Sequence, residues 1–245
     1  MNRPRVVCVV QARMTSTRLP GKVLLPLGGR PVLAHVIARC RLARRVDEVV
    51  IAAPDLPSSA PIQEACKALG ARYVSGPEHD VLERYRMAAE VTRADVVVRV
   101  TSDCPLIEPV FIDACLTELL ASASTDAPYD YFCNVEPRRL PRGLDVETFT
   151  VEALGRAAIE ATSASDREHV TAYLRTSGRF RTGGLLLNQD FAHLRWTLDT
   201  PEDLAMFERL FAAASGELDF ATALQLVKDD PSIAAINAQI EQKKS

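Results

Sequence analysis

The sequence predicts an α/β fold on a mostly parallel, doubly wound, Rossmann-like sheet, and three observations predict it. Near-continuous β-branched runs recur at Val6, Val49 and Val96, as expected of strands covered by helices on both faces. Segments with a helical period separate those runs, which calls for βαβ crossovers. Charged and polar residues gather directly after the apolar runs, on the carboxyl edge where such sheets bind ligands.

Val6 to Gln11 reads as the first strand, followed by a loop carrying Arg13, Arg18 and Lys22 among Pro20 and Gly21. A helix is expected from Pro31 to about Arg44, the strand EVVIAA over Glu48 to Ala53, and a helix from about Ser58 to Leu69. RYVSG then precedes the helix DVLERYRMAAEV, whose Val81, Leu82, Tyr85 and Ala88 share one face. DVVVRVTSDCP follows as a strand that runs out at Asp103. After about Ser122 the pattern changes. DYFCNV and GLDVETFT are strand-like around the Pro- and Arg-rich EPRRLPRG, DREHVTAYLRTS is helical, and FRTGGLLL and HLRWTLD read as strands. The stretch at about 125–190 is therefore expected as an insertion of mixed pairing that returns to the main sheet, within one domain over 1–245. In DTPEDLAMFERLF a helix opens on a Thr200 cap, with Pro201 in its first position and acids in its first turn.

Composition narrows the function classes. With 47% hydrophobic and 25% charged residues the chain matches soluble globular proteins. A net charge of -3 argues against a nucleic-acid surface, so the cations of the first loop are a local device. No apolar run approaches the ~20 residues of a membrane span, and a cytoplasmic protein without membrane insertion is expected. Cys8, Cys40, Cys66, Cys104, Cys115 and Cys133 form no CxxC pair and read as buried reduced thiols. His35, His79, His169 and His193 are dispersed, which disfavours a His-rich metal site.

The first loop almost fits a P-loop, with Gly21-Lys22 at its end, but Ser16 stands where the first Gly is needed and Val23 where Ser or Thr is needed. Side-chain charge must then do what backbone amides do in that motif, gripping a polyanion; a solvated basic loop is an equally good reading of these residues alone. Asp103, at the end of an apolar strand, is placed to hold Mg²⁺ on a phosphate or to cap the helix near Pro109. Asp199 ends another expected strand and could equally belong to a helix cap. Two strand-end aspartates and one cationic loop together describe a metal–triphosphate site better than any one of them does.

QARMTSTRLPGKVLLPLGGRPVLAHV resembles the N-terminal signature of the CMP-sugar synthetases, particularly CMP-Kdo synthetase and the family named for spore coat polysaccharide biosynthesis. The similarity continues in family order through DVLERYRMAAEVTRADVVVRVTSDCPLIEP, PRGLDVETFT, DREHVTAYL and LRWTLDTPEDL. That resemblance implies a nucleotide-diphospho-sugar transferase sheet with an inserted β arm that makes a homodimer. It implies nucleotide contacts at Gln11, Ala12, Arg13, Ser16, Arg18, Lys22 and Ser102, Mg²⁺ on Asp103 and Asp199, and catalysis by Arg13, Lys22, Asp103 and Asp199. The implied reaction joins CTP to a sugar acid, giving a CMP-sugar and pyrophosphate, for surface polysaccharide or glycoconjugate synthesis. Ser102-Asp103-Cys104-Pro105 departs from the GDEP of the Kdo enzymes, and TSDCPLI only partly echoes the sialic-acid branch, so the acceptor stays open. Arg138, Arg139 and Arg142 could bind an acceptor carboxylate bidentately or merely solvate the arm. Glu147 is a candidate for sugar hydroxyls and His169 for a structural or substrate contact. A glycosyltransferase, whose D-x-D mark is replaced here by Ser102-Asp103-Cys104, and a nucleotide-binding scaffold without catalysis are the competing readings.

Overall fold

Five successive apolar residues, Val6 to Val10, can be buried together only in a strand covered on both faces. In the computed structural model, which describes residues 3–241, each is at most 1% exposed and they form β1 (Val6–Gln11). A loop and a short 3-10 turn lead to the small hairpin β2 (Pro26–Leu27) and β3 (Arg30–Pro31), then to α1 (Val32–Arg41). β4 (Glu48–Pro54), α2 (Ala60–Ala68), β5 (Arg72–Gly76), α3 (Val81–Thr92), β6 (Val96–Thr101) and α4 (Pro109–Ser122) follow. β1 pairs in parallel with β4 and β6, and β4 pairs in parallel with β5. Alternate residues of β1 serve two cores: Cys8 and Val10 join Leu33, Ile37, Ile112 and Leu116, while Val7 and Val9 join Leu82, Tyr85 and Ala88.

Segment 125–190 supplies β7 (Tyr131–Cys133), β8 (Glu147–Thr150), α5 (Val151–Glu160), α6 (Ala164–Glu168), α7 (Ala172–Thr176) and β9 (Thr182–Gly184). β8 runs antiparallel to β6 and to β7, and β9 runs parallel to β7, so this segment extends the main sheet with mixed pairing. The order is β5-β4-β1-β6-β8-β7-β9. Within this segment one element is additional to the expected set: α5, which buries Ala153, Leu154 and Ala157. The single helix expected over DREHVTAYLRTS is divided into α6 and α7, because Val170 between them takes a left-handed φ of 57°. FRTGGLLL contributes only the three residues of β9.

HLRWTLD is not a sheet strand. Its hydrogen bonds go to two different loops: Trp196 N donates to Arg142 O at 2.6 Å and Leu198 N to Asp103 O at 2.8 Å. The last helices, α8 (Pro201–Ala213), α9 (Phe220–Asp229) and α10 (Ser232–Ala235), pack on that segment in a third core containing Trp196, Leu198, Phe207 and Leu210. Thr200 caps α8 as expected, and Asp203 makes the cap reciprocal. All six cysteines are free and buried. Among the described residues no helix is long and apolar enough to cross a membrane.

Candidate active site

Register fixes where the site forms. Gln11 lies opposite Thr101 and Ala52, so β1, β4 and β6 end on one edge. The loops after β1 and β6 are stitched side by side, with Ser102 N donating to Gln11 O at 3.1 Å. The first of these loops folds on the Met14 carbonyl, which accepts from Ser16 N at 2.9 Å and Gly21 N at 3.1 Å. Gly21, at φ 67° and ψ 12°, makes the left-handed turn that a residue with a side chain takes only at a cost. Lys22 follows immediately and is 7% exposed.

Lys22 Nζ lies 2.7 Å from Asp103 Oδ2 and 2.5 Å from Asp199 Oδ1. Asp103 Oδ1 accepts from Thr101 Oγ1 at 2.5 Å, and Asp199 Oδ2 is 3.1 Å from Arg18 Nη2 and 3.3 Å from Arg195 Nη2. Burial pushes the Lys22 ammonium down, but Asp103 and Asp199 outweigh it and hold the group above its ordinary value. Burial likewise pushes Asp103 up, while Lys22 and the Thr101 hydroxyl outweigh it and hold the carboxyl below the usual carboxylate range. At neutral pH this is a lysinium between carboxylates.

Behind Asp199 stands a buried framework. Arg195 Nε meets Asp203 Oδ1 at 2.8 Å, and Asp203 Oδ2 accepts from the backbone N of Asp199 at 2.9 Å and of Thr200 at 3.0 Å. Asn237 Nδ2 donates to Asp203 Oδ1 at 2.9 Å and to Arg195 O at 3.0 Å. Nothing in sequence spacing singles out Asn237, but the acid pair of TPEDL, read beyond its capping role, could have drawn attention to Asp203.

The cavity above Lys22 has a volume of about 290 Å³. Its lining contains every expected nucleotide contact, Gln11, Ala12, Arg13, Ser16, Arg18, Lys22 and Ser102, together with Asp103, Asp199 and His169. The other expected acceptor residues do not line it. Arg138 has both ends of its fork on Asp145, at 2.6 and 2.8 Å. Arg139 pairs with Asp190 at 2.9 Å, and the backbone of Arg142 bridges to Leu194 and Trp196. Glu147 lies in the core rather than at the cavity: it is 5% exposed, pairs with Arg99 and accepts from Tyr131 Oη at 2.7 Å and Thr171 Oγ1 at 2.6 Å.

Arg84 and Arg99, neither of them among the expected site residues, also line the cavity. A signal existed for Arg84, since it falls three residues after Val81 and four before Ala88, on the apolar side of α3. Among the described residues no group of three or more His, Cys, Asp or Glu could hold a metal ion. Mg²⁺ needs fewer: one or two carboxylates, with phosphate oxygens and water completing its shell. Asp103 and Asp199, whose oxygens converge on one ammonium, are a hard-oxygen pair that fits it.

Comparison with known proteins agrees with this layout. A family model described as cytidylyltransferase matches residues 7–226. The chain is 31% identical to the spore coat polysaccharide biosynthesis protein SpsF of Bacillus subtilis, over 91% of this chain and 92% of that one. It is 32% identical to a 3-deoxy-manno-octulosonate cytidylyltransferase of an Anaeromyxobacter strain, over 87% of this chain and 99% of that one. Among solved structures, a cytidylyltransferase from Leptospira borgpetersenii superposes with a TM-score of 0.90 at 28% identity, over 98% of this chain and 100% of that one.

Proposed function

The chain belongs to the cytidylyltransferase family, and from that premise we propose that it joins CTP to a sugar acid in a Mg²⁺-dependent reaction, releasing pyrophosphate and a CMP-sugar for surface polysaccharide or glycoconjugate synthesis. The observation that carries this reading is the Lys22 ammonium held by Asp103 and Asp199 in a cation-lined cavity at the carboxyl edge of the sheet. The names of the Bacillus and Anaeromyxobacter relatives support the polysaccharide setting and the acid acceptor.

In this reading an acceptor hydroxyl attacks the α-phosphorus of CTP. The new P–O bond forms as the α–β bridge breaks, the hydroxyl proton passes to water, and pyrophosphate leaves with the bonding electrons. Positioning and charge stabilisation dominate such a transfer, and no covalent intermediate on the protein is required. Arg13, Arg18 and Lys22 hold the triphosphate and oppose the charge gathering on pyrophosphate, while Gln11, Ala12, Ser16 and Ser102 shape the nucleotide side of the cavity. Mg²⁺ bound by Asp103 and Asp199 would supply Lewis-acid polarisation of the phosphate. His169 is the acceptor-side residue that reaches the cavity. Homodimerisation through segment 125–190 belongs to the same proposal; the short edge strand β9 and Leu186, 79% exposed just beyond it, support it.

The test is pyrophosphate release with each of the four nucleoside triphosphates and Mg²⁺, against a panel of sugar acids that includes Kdo and sialic-type ulosonates. CTP-dependent release with one acid is expected. Release with another nucleotide in preference to CTP, or CTP binding without release across the panel, would overturn the proposal.

A further inference from the structure

The cations that line the cavity are not equivalent. Lys22 is paired with Asp103 and Asp199, Arg18 with Asp199, and Arg99 with Glu147. Arg84 is 3% exposed and has no such partner among the described residues. Among the described residues its guanidinium donates only from Nη1, to Pro77 O at 2.7 Å and Glu78 O at 2.9 Å, and its buried Nε has no hydrogen-bond partner. Asp80, at the start of the same helix, is already held by Arg167 at 2.6 Å. The stem is fitted closely: a β-carbon on Gly76 would lie 2.8 Å from Arg84 Cγ.

A cation buried without a counter-charge is costly. Burial pushes this guanidinium below its ordinary value, Tyr85, Asp80 and Glu78 oppose that without overcoming it, and nearby Arg13, itself without an ion-pair partner among the described residues, pushes the same way as burial. Anchoring the Pro77 and Glu78 carbonyls explains Nη1 alone. The side of the guanidinium carrying Nε and Nη2 remains, and that edge takes a carboxylate or phosphate with two parallel hydrogen bonds.

We propose that Arg84 is a substrate-binding residue whose free Nε/Nη2 edge, assisted by Arg13, receives one anionic oxygen group at the cavity wall, apart from Asp103, Lys22 and Asp199. The ligand chemistry is a phosphate of the nucleotide or the carboxylate of the acceptor, and it rests on the cytidylyltransferase reading only for the identity of the molecule that brings it.

Titration calorimetry of wild type, Arg84→Lys and Arg84→Gln with pyrophosphate, CTP, cytidine and Kdo tests this, with thermal denaturation to confirm folding. Arg84→Lys keeps charge and stem but loses the fork, so affinity for the anion should fall by about tenfold or more at an unchanged midpoint. Weaker CTP and pyrophosphate binding with unchanged cytidine binding identifies a phosphate, and a loss confined to Kdo identifies a carboxylate. Affinities within about twofold of wild type for every probe overturn the proposal and leave Arg84 as a loop anchor. Wild type that binds none of the anions overturns it as well. If Arg84→Gln does not fold, Arg84→Lys decides. Anion binding by wild type without CTP turnover would sink the proposed reaction while leaving the Arg84 comparison readable.

Discussion

Two carboxylates that approach one ammonium repel each other once the ammonium is gone. Lys22→Met keeps the length and most of the volume of the side chain but leaves Asp103 and Asp199 facing each other without the charge 2.7 and 2.5 Å from their oxygens. Turnover should fall by roughly 10²- to 10³-fold, as when a charge-stabilising donor is removed from an active site. Pyrophosphate release measured over a range of CTP concentrations checks it, and a variant with unchanged kcat would return Lys22 to a structural role. Lys22, Asp103 and Asp199 were legible in the sequence for one physical reason: each follows an apolar run or a Pro-Gly turn, where a core explanation is unavailable. Arg84 was legible only as a position on the apolar side of its helix: arginine there normally faces solvent, and its burial depends on Gly76 across a tertiary contact. The burial of Glu147 was not legible either, because its partner Arg99 is remote in sequence.

That partner lies directly across the ladder, since Arg99 on β6 and Glu147 on β8 are opposed in the antiparallel register. The pair reaches the cavity through Arg99 and the α6–α7 junction through Thr171, which follows the strained Val170. Burial pushes Glu147 up, but Arg99 outweighs it, helped by Thr171 and Tyr131, and the folded carboxyl sits below its ordinary 4.5. A depressed carboxyl gives stability that is present above the unfolded value and lost as pH falls through the folded one. Glu147→Gln leaves a buried guanidinium unpaired and should cost about 3–5 kcal/mol at neutral pH. Urea unfolding across pH should show that deficit as constant above about pH 5 and narrowing below the ordinary 4.5; a deficit independent of pH would show that the charge is not what matters. The same elements show why the second half of the chain was only partly legible. β7, β8 and β9 are three or four residues long, too short for a pattern of their own. HLRWTLD has strand composition, yet Gly143 opposite it allows a contact in which a β-carbon would lie 1.9 Å from Trp196 O, so the segment is held by a loop rather than a strand.

At the scale of the whole molecule, the parallel half was legible because burial on both faces forces long β-branched runs, whereas the joining of β8 to β6 and the folding back of the C-terminal helices depend on contacts between distant segments. The latter bear on the site. Asn237 lies beyond the family match at 7–226, is 2% exposed, and ties the end of the chain to Asp203 and to the Arg195 carbonyl. Asp203 in turn holds the backbone N of Asp199, and Arg195 approaches its carboxylate. The C-terminal segment is thus linked through Asp203 and Arg195 to the aspartate that faces Lys22. Asn237→Ala removes both donations and leaves part of a buried carboxylate and a buried carbonyl unsatisfied, which should cost about 1–3 kcal/mol of stability. A structural effect alone would end there, with activity of the folded fraction unchanged. If Asn237 positions Asp199, kcat should also fall by about tenfold at temperatures well below the unfolding midpoint, because catalytic geometry tolerates little displacement. The KM for CTP should move much less, since Arg13, Arg18 and Lys22 remain in place. Steady-state kinetics beside thermal denaturation separates the two outcomes: lost stability with wild-type kcat would show that the tail only closes the third core, and a selective loss of kcat would make it part of the working site.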